Sequence, residues 1–184
     1  MNLRKENFYI VTGGPRVGKT TLLNGLANRG FKIVPEDARK IIRQQIENNG
    51  DGLPWKNKEL YTRLMLKASS KSYQAASQNN SDIYFFDRGI IDSLCYAYMI
   101  GLPISTEMDN IAKTYRYNRK IFILPPWLEI YHTDNERKQT WEEATMTFTK
   151  MKEAYSKYDY EIIEVPKGTT EDRINFVLNN IKTK

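Results

Sequence analysis

A glycine-rich stretch near the start of the chain restricts the possible folds more than any other feature. Gly13 and Gly18 precede Lys19 and Thr20 in the pattern G-x-x-x-x-G-K-[ST], between an apolar run and a helix-like segment. Glycine reaches backbone angles that turn successive N–H groups inward, so such a loop can surround a phosphate at the start of a helix. The pattern therefore predicts a phosphate-binding loop between a buried strand and a helix.

We expect this loop, the Walker A motif, to bind the phosphates of ATP or GTP. Lys19 would reach the β- and γ-phosphates, the Thr20 hydroxyl would bind Mg²⁺, and Thr21 would lie near the α-phosphate. Pro15 is compatible with the loop because its ring fixes φ. The predicted nucleotide-binding residues are Gly13, Gly14, Pro15, Arg16, Val17, Gly18, Lys19, Thr20 and Thr21.

The composition predicts one soluble, cytoplasmic domain over residues 1–184. A chain of 184 residues with 40% hydrophobic content can form one full core and is short for two. The single cysteine, Cys95, is compatible with a reducing compartment and fits an apolar helical pattern, which favours a buried structural role. No secretory signal and no apolar run near 18 residues is visible. The net charge of +6 comes from scattered Lys and Arg, which does not favour a nucleic-acid surface.

Hydrophobic periodicity predicts an α/β fold of three layers, with a parallel five-stranded sheet and helices on both faces. The predicted strands are residues 8–12, 31–34, 83–86, 120–124 and 160–165. The predicted helices include residues 19–29, 36–47, 58–79, 105–115 and 170–182, together with one that a capping box of Thr133 and Glu136 would begin. Because ligands of such sheets bind beyond the carboxyl ends of the strands, the residues after each strand are the candidates for function.

Two charged residues follow the third predicted strand. Asp87 has the position of a carboxylate that holds Mg²⁺ opposite Thr20, although it could instead cap the next helix. Arg88 could hold a phosphate or an acceptor, or form a salt bridge with Asp92. Both alternatives stay open at this point.

Glu36 and Arg137 complete the predicted catalytic set. Glu36 follows the second strand and could take the proton of an acceptor hydroxyl, or could cap the helix together with Asp37. Arg137 could belong to a lid over the nucleotide, or could be buried beside an acidic partner. Arg39 could reach the same cleft from a solvated helix face. The lone His132 has no neighbours at the spacing of a zinc site.

These residues, with the elements F-D-R-G at 86–89 and P-P-W at 125–127 and T-D-N-E-R at 133–137, resemble the small ATPases classified under the AAA domain. That family is similar to the ribosylnicotinamide kinase domain of bifunctional NAD-biosynthesis proteins and, more loosely, to nucleoside and nucleotide kinases. The resemblance runs from about Phe8 to Phe176. It implies ATP and Mg²⁺ at Lys19, Thr20 and Asp87, an acceptor near Glu36 and Arg88, and Arg137 in the lid.

The sequence thus predicts an ATP-dependent phosphotransferase that moves the γ-phosphoryl group to a nucleoside-like acceptor. An ATP or GTP hydrolase, or a nucleotide-dependent regulatory switch without an acceptor, is the alternative. A nucleic-acid binder is a third hypothesis and would require strongly salt-dependent binding. The expected partners are the nucleotide and a small-molecule acceptor. The sequence leaves the oligomeric state open, and a dimer is one of the alternatives.

Overall fold

Five parallel strands form the centre of the computed structural model, which describes residues 4–79, 81–130 and 140–181. The strands are β1 (Phe8–Gly13), β2 (Lys32–Val34), β3 (Tyr84–Asp87), β4 (Lys120–Leu124) and β5 (Glu161–Glu164). Their order in the sheet is β2-β3-β1-β4-β5, and every neighbouring pair is parallel. β1 therefore lies between β3 and β4, which places the loop after β1 at the centre of the carboxyl edge.

Seven α-helices connect and cover these strands in the described parts of the chain. They are α1 (Lys19–Asn28), α2 (Ala38–Glu47), α3 (Lys58–Ala76), α4 (Ile90–Met99), α5 (Thr106–Thr114), α6 (Trp141–Lys157) and α7 (Thr170–Ile181). A short 3-10 turn over Leu128–Ile130, which the sequence did not predict, follows β4. No helix of residues 4–79, 81–130 and 140–181 is both long enough and apolar enough to cross a membrane.

The alternation of side chains along the strands separates two cores. Phe8 and Ile10 of β1 lie in the core that includes α3, α4, α5 and α6. Tyr9 and Val11 lie in the other core, against α1 and α7. Successive strand residues point to opposite faces, so one fully buried strand supplies both cores. The predicted three-layer α/β fold with helices on both faces is confirmed.

Two helix starts differ from the prediction by two residues or more. α2 begins at Ala38 instead of Glu36, so that Glu36 belongs to the loop after β2. α6 begins at Trp141 instead of Thr133, and its capping box is formed by Thr140 and Glu143. Thr140 directly precedes the apolar stripe of α6, and the cap forms where the buried face begins. Thr133 and Glu136 lie outside the described residues.

Candidate functional site

The predicted phosphate loop lies between the end of β1 and the start of α1, and its two motif glycines are required for different contacts. Gly13 has φ of 150°, and an added Cβ would lie 2.8 Å from the Leu124 carbonyl oxygen. Gly18 has φ of 77°, and an added Cβ would lie 2.5 Å from Nη1 of Arg173. A side chain at either position would combine backbone strain with a close contact. Gly14 has no such neighbour.

The amino end of α1 carries no negative charge of its own. Gly18 occupies the N-cap position without a side-chain hydrogen bond, and the first turn contains no acidic residue. In contrast, α6 begins with a capping threonine and two glutamates. The N–H groups and the positive end of the α1 dipole are therefore left for an external anion, as the motif predicts.

Lys19 and Asp87 form an ion pair across the carboxyl edge of the sheet. The ammonium group contacts Oδ1 of Asp87, and the side chains are only 9% and 14% exposed. Asp87 ends β3 in register with Val11 of β1, which brings it opposite the first turn of α1. Burial raises the pKa of Asp87 above its ordinary value of 3.8, and Lys19 opposes that shift. Asp87 thus faces the loop, and Gly89 is the N-cap residue of α4.

Arg88 and Glu36 form a second ion pair beside the first. Nε of Arg88 donates to Oε1 of Glu36 over 2.9 Å, and Nη1 of Arg88 lies 3.4 Å from Oδ1 of Asp92. The salt bridge to Asp92 that the sequence left open therefore exists, together with a contact to Glu36. Burial alone would lower the pKa of Arg88, but Asp92, Glu36 and Asp87 raise it overall. Arg88 has φ of 69°, a strained angle for a residue with a side chain.

Asp92 is the anchor of this group, although the sequence pointed to it only as a partner for Arg88. Its carboxylate accepts hydrogen bonds from the Gly89 amide at 2.7 Å, the Tyr155 hydroxyl at 2.6 Å and the Thr12 hydroxyl. Thr12 and Tyr155 belong to β1 and α6, so Asp92 joins three elements behind Arg88. A carboxylate on an otherwise apolar helix was the available signal in the sequence.

Two cavities adjoin at these ion pairs. The larger, of about 640 Å³, is lined by phosphate-loop residues between Gly14 and Thr21 and by Arg39. The smaller, of about 290 Å³, lies between α3, α4 and α6. The residues that line both are Pro35, Glu36, Ala38, Tyr61, Asp87 and Arg88.

The smaller cavity combines aromatic rings with carboxylates. Tyr61 and Tyr96 meet edge to face with ring centroids 5.6 Å apart. Burial, with Glu36 and Tyr96 adding, raises the pKa of Tyr61 to about 12, so its hydroxyl is neutral near pH 7. Cys95 also lines the cavity, and burial raises the pKa of its thiol to about 12, in keeping with the structural role expected for it.

Thr20 and Asp87 both line the larger cavity, where the sequence predicts Mg²⁺. Within residues 4–79, 81–130 and 140–181, no group of three His, Cys, Asp or Glu side chains could hold a metal ion. One hydroxyl and one carboxylate fit a Mg²⁺ ion that arrives with phosphates and keeps several waters. Asp37, the neighbour of Glu36, instead accepts hydrogen bonds from the Ser72 hydroxyl at 3.2 and 3.1 Å.

The structure thus brings most of the predicted site residues together. Lys19, Thr20, Glu36, Asp87 and Arg88 meet at the carboxyl edge of β1, β2 and β3. Arg137 and His132 lie outside the described residues, so the lid remains a prediction. Sequence reasoning missed Thr12, Asp92, Tyr155 and Arg173 as residues that support the site.

Comparison with known proteins identifies a family and a fold. The sequence profile described as AAA domain matches residues 8–173 of the chain. No protein of curated function matches the sequence significantly.

Solved structures share the fold at low sequence identity. A NadR protein in complex with NR is 20% identical with a TM-score of 0.71, and the match covers 98% of this chain and 52% of that one. This chain therefore spans about half the length of the NadR chain. Thymidylate kinase from Candida albicans is 18% identical with a TM-score of 0.60, over 95% and 90% of the two chains. Deoxyadenosine kinase from M. mycoides is 14% identical with a TM-score of 0.54, over 96% and 100%. The predicted fold of P-loop nucleoside and nucleotide kinases is confirmed.

Proposed function

The chain belongs to the AAA domain family, and from the two adjoining cavities we propose that it is a small-molecule kinase. It transfers the γ-phosphoryl group of ATP to a hydroxyl of an uncharged, nucleoside-like acceptor, and acts as one domain in the cytoplasm. ATP lies in the larger cavity, on the phosphate loop from Gly13 to Thr21, and the acceptor lies in the smaller one.

The observation that carries this proposal is the common wall of the cavities. Glu36, Asp87 and Arg88 line both of them, so a group held by the phosphate loop and a group held between α3, α4 and α6 meet at these side chains. A hydrolase has no need of a second, largely apolar compartment next to its phosphates. Placing two reactants in adjoining compartments is how a kinase lowers the entropic part of the barrier.

The transfer requires charge compensation and one proton acceptor. The acceptor oxygen forms a bond to the γ-phosphorus while the bond from that phosphorus to the leaving ADP oxygen breaks. The carboxylate of Glu36 takes the proton from the acceptor hydroxyl, and Arg88 holds that carboxylate in place. The Lys19 ammonium compensates the negative charge of the transferred phosphoryl group. We propose that Arg137, in the lid, approaches the same group.

Mg²⁺, when bound, would neutralise phosphate charge and align the β- and γ-oxygens. The Thr20 hydroxyl and the Asp87 carboxylate are the groups of this chain that would hold it. Lys19 contacts Asp87, so nucleotide binding would exchange partners: Lys19 would turn to phosphate, and Asp87 would be released for the cation.

The charges of the smaller cavity favour an acceptor without a negative charge. Among the described residues that line it, four are carboxylates, at 36, 37, 87 and 92, and one is a guanidinium. That guanidinium, Arg88, is already engaged by Glu36 and Asp92. A phosphorylated acceptor would add its own negative charge to this excess of carboxylates, which costs several kcal/mol. Carboxylates and the Tyr61 hydroxyl instead suit ribose hydroxyls.

A transfer assay tests the proposal. The protein is incubated with γ-labelled ATP, Mg²⁺ and a panel of nucleosides, each paired with its 5′-monophosphate. We expect label on a nucleoside, with kcat/KM at least about tenfold above that of the matching monophosphate. Steady release of phosphate to water with no labelled acceptor would support the hydrolase or switch instead. A preference for monophosphates would refute the proposed acceptor class.

The Glu36→Gln substitution tests the proton acceptor. We expect kcat for transfer to fall roughly 100-fold while KM for ATP stays within about twofold, because the amide cannot take a proton. The matched control is Glu47→Gln, which changes an exposed side chain at the other end of α2. Unchanged kcat in Glu36→Gln would exclude Glu36 as the base.

A further inference from the structure

Arg173 of α7 is a buried cation directly behind the phosphate loop. Its side chain is 5% exposed, and its Nη2 donates to the Val17 carbonyl oxygen over 2.9 Å. Its Nη1 lies against Gly18, because a Cβ built there would approach that nitrogen to 2.5 Å. The guanidinium therefore touches two consecutive residues of the loop, and Arg173 itself does not line the larger cavity, whereas Gly18 does.

The buried guanidinium of Arg173 does not use all of its hydrogen-bond donors. Its Nε–H has no hydrogen-bond partner in the described structure. No carboxylate of residues 4–79, 81–130 and 140–181 forms a salt bridge with it. Burial lowers the pKa of this guanidinium, and the Trp127 ring lies 5.5 Å from its central carbon. A buried charge with so little compensation is costly and calls for a reason.

The hydrogen bond to Val17 determines which way one peptide group of the loop faces. The Val17 carbonyl and the Gly18 N–H belong to the same peptide unit, which is trans because the described chain contains no cis peptide bond. In a planar trans peptide the C=O and N–H bonds point in opposite directions. With the carbonyl held by Arg173, the Gly18 N–H points away from the guanidinium.

We propose that Arg173 is a positioning residue of the phosphate loop, which holds the Val17–Gly18 peptide so that the Gly18 N–H donates to a nucleotide phosphate. A charged donor on the carbonyl also polarises the peptide and strengthens the N–H on its other side. The bound polyphosphate then supplies, through that peptide, the negative charge that the guanidinium lacks in the described structure. Glycine at position 18 has φ of 77° and can turn its N–H this way without strain.

This inference rests on the phosphate-loop part of the proposed function, and its test needs no phosphoryl transfer. The probe is inorganic triphosphate with Mg²⁺, which reports on the loop alone, measured by isothermal titration calorimetry. We expect Arg173→Met to weaken triphosphate binding roughly tenfold, the effect of losing one charge-assisted hydrogen bond. The Gly18 amide nitrogen resonance should move in the same variant, because its peptide loses the bond to the carbonyl.

The matched control is Arg29→Met, which removes the same charge from the opposite end of α1. Arg29 pairs with Glu171 of α7, and its side chain is 31% exposed. We expect triphosphate affinity within about twofold of the wild type there. Equal losses in both variants would show a general effect of charge and overturn the proposal, as would wild-type affinity in a folded Arg173→Met variant.

Two further outcomes are decisive. If Arg173→Met does not fold, Arg173→Lys takes its place: it keeps the charge but cannot contact Val17 and Gly18 together, so we expect a several-fold loss of affinity. Unchanged affinity in that variant overturns the proposal. Failure of the wild type to bind triphosphate would overturn the proposed function as well, whereas equal binding by wild type and variant overturns this inference alone.

Discussion

At the scale of single residues, Lys19 carries the clearest prediction. The Lys19→Ala variant should lose roughly 100-fold or more of ATP-dependent turnover, because no other group replaces the ammonium at the transferred phosphate. The measurement is initial-rate kinetics at saturating ATP. Lys71→Ala, at an exposed position on α3, is the control and should retain full activity. Full activity in Lys19→Ala would end the catalytic proposal.

Asp92 carries a prediction about stability. Asp92→Asn keeps the shape of the side chain but removes the charge that Arg88, Thr12, Gly89 and Tyr155 contact. We expect the free energy of unfolding to fall by about 2 kcal/mol, a value typical of hydrogen bonds to a charged group.

Urea denaturation measures this change. Glu59→Gln is the control, since it removes an exposed helical ion pair with Arg63 and should cost less than about 0.5 kcal/mol. If Asp92→Asn is no less stable than that control, Asp92 does not anchor the site.

The sequence indicates site residues well where the signal is local. The loop pattern points to Lys19, and the position after a strand points to Glu36 and Asp87, because every parallel strand ends at the same edge. It does not indicate which charges pair. Arg173 and Val17 are 156 positions apart, and only the packing of α7 against α1 brings them together.

At the scale of helices and strands, the start of α6 can be tested. Thr140→Ala should lower the free energy of unfolding by about 1 kcal/mol, because the threonine hydroxyl accepts the Glu143 amide over 3.2 Å. Thr145→Ala, four residues inside the same helix, is the control and should change stability by a few tenths of a kcal/mol. The measurement is thermal unfolding. Equal stability of the two variants would argue against Thr140 as the cap.

Element boundaries show where sequence patterns are ambiguous. Two T-x-x-E boxes occur seven residues apart, at 133–136 and 140–143, and the pattern alone does not separate them. The predicted start of α2 is two residues too early, because Glu36 and Asp37 are compatible with a first helical turn. Contacts with Arg88 and Ser72 draw these two carboxylates away from capping.

At the scale of the whole molecule, the three layers follow from the strands' apolar runs, whereas the strand order depends on which crossovers pack together.

The buried carboxyl at the carboxyl edge of the sheet makes the stability of the protein depend on pH. The pKa of Asp87 lies above 3.8, chiefly because the carboxyl is buried. Between 3.8 and the raised value the folded protein binds more protons than the unfolded chain, so this group adds stability as the pH falls through that interval.

The affinity for Mg²⁺ should change in the opposite direction and fall as the pH falls, because the ion binds only the ionised carboxylate. As the pH is lowered, we therefore expect the affinity for Mg²⁺ with ADP to start falling at a higher pH than it would if the carboxylate had the ordinary pKa of an aspartate. Titration calorimetry from pH 7 downward, compared with Asp87→Asn, isolates this carboxyl. A wild-type profile parallel to that of Asp87→Asn would refute the role of Asp87 in holding the cation.

The contact between Lys19 and Asp87 implies a form of selectivity for the proposed phosphate loop. Since the ammonium already has an anion beside it, a lone inorganic phosphate finds little uncompensated attraction there. A polyphosphate that brings its own divalent ion can satisfy both side chains at once. Its oxygens would contact Lys19, and its metal ion would contact Asp87. Under the proposed function, this ion pair would favour a metal-loaded nucleotide over abundant simple anions before any part of the base is recognised.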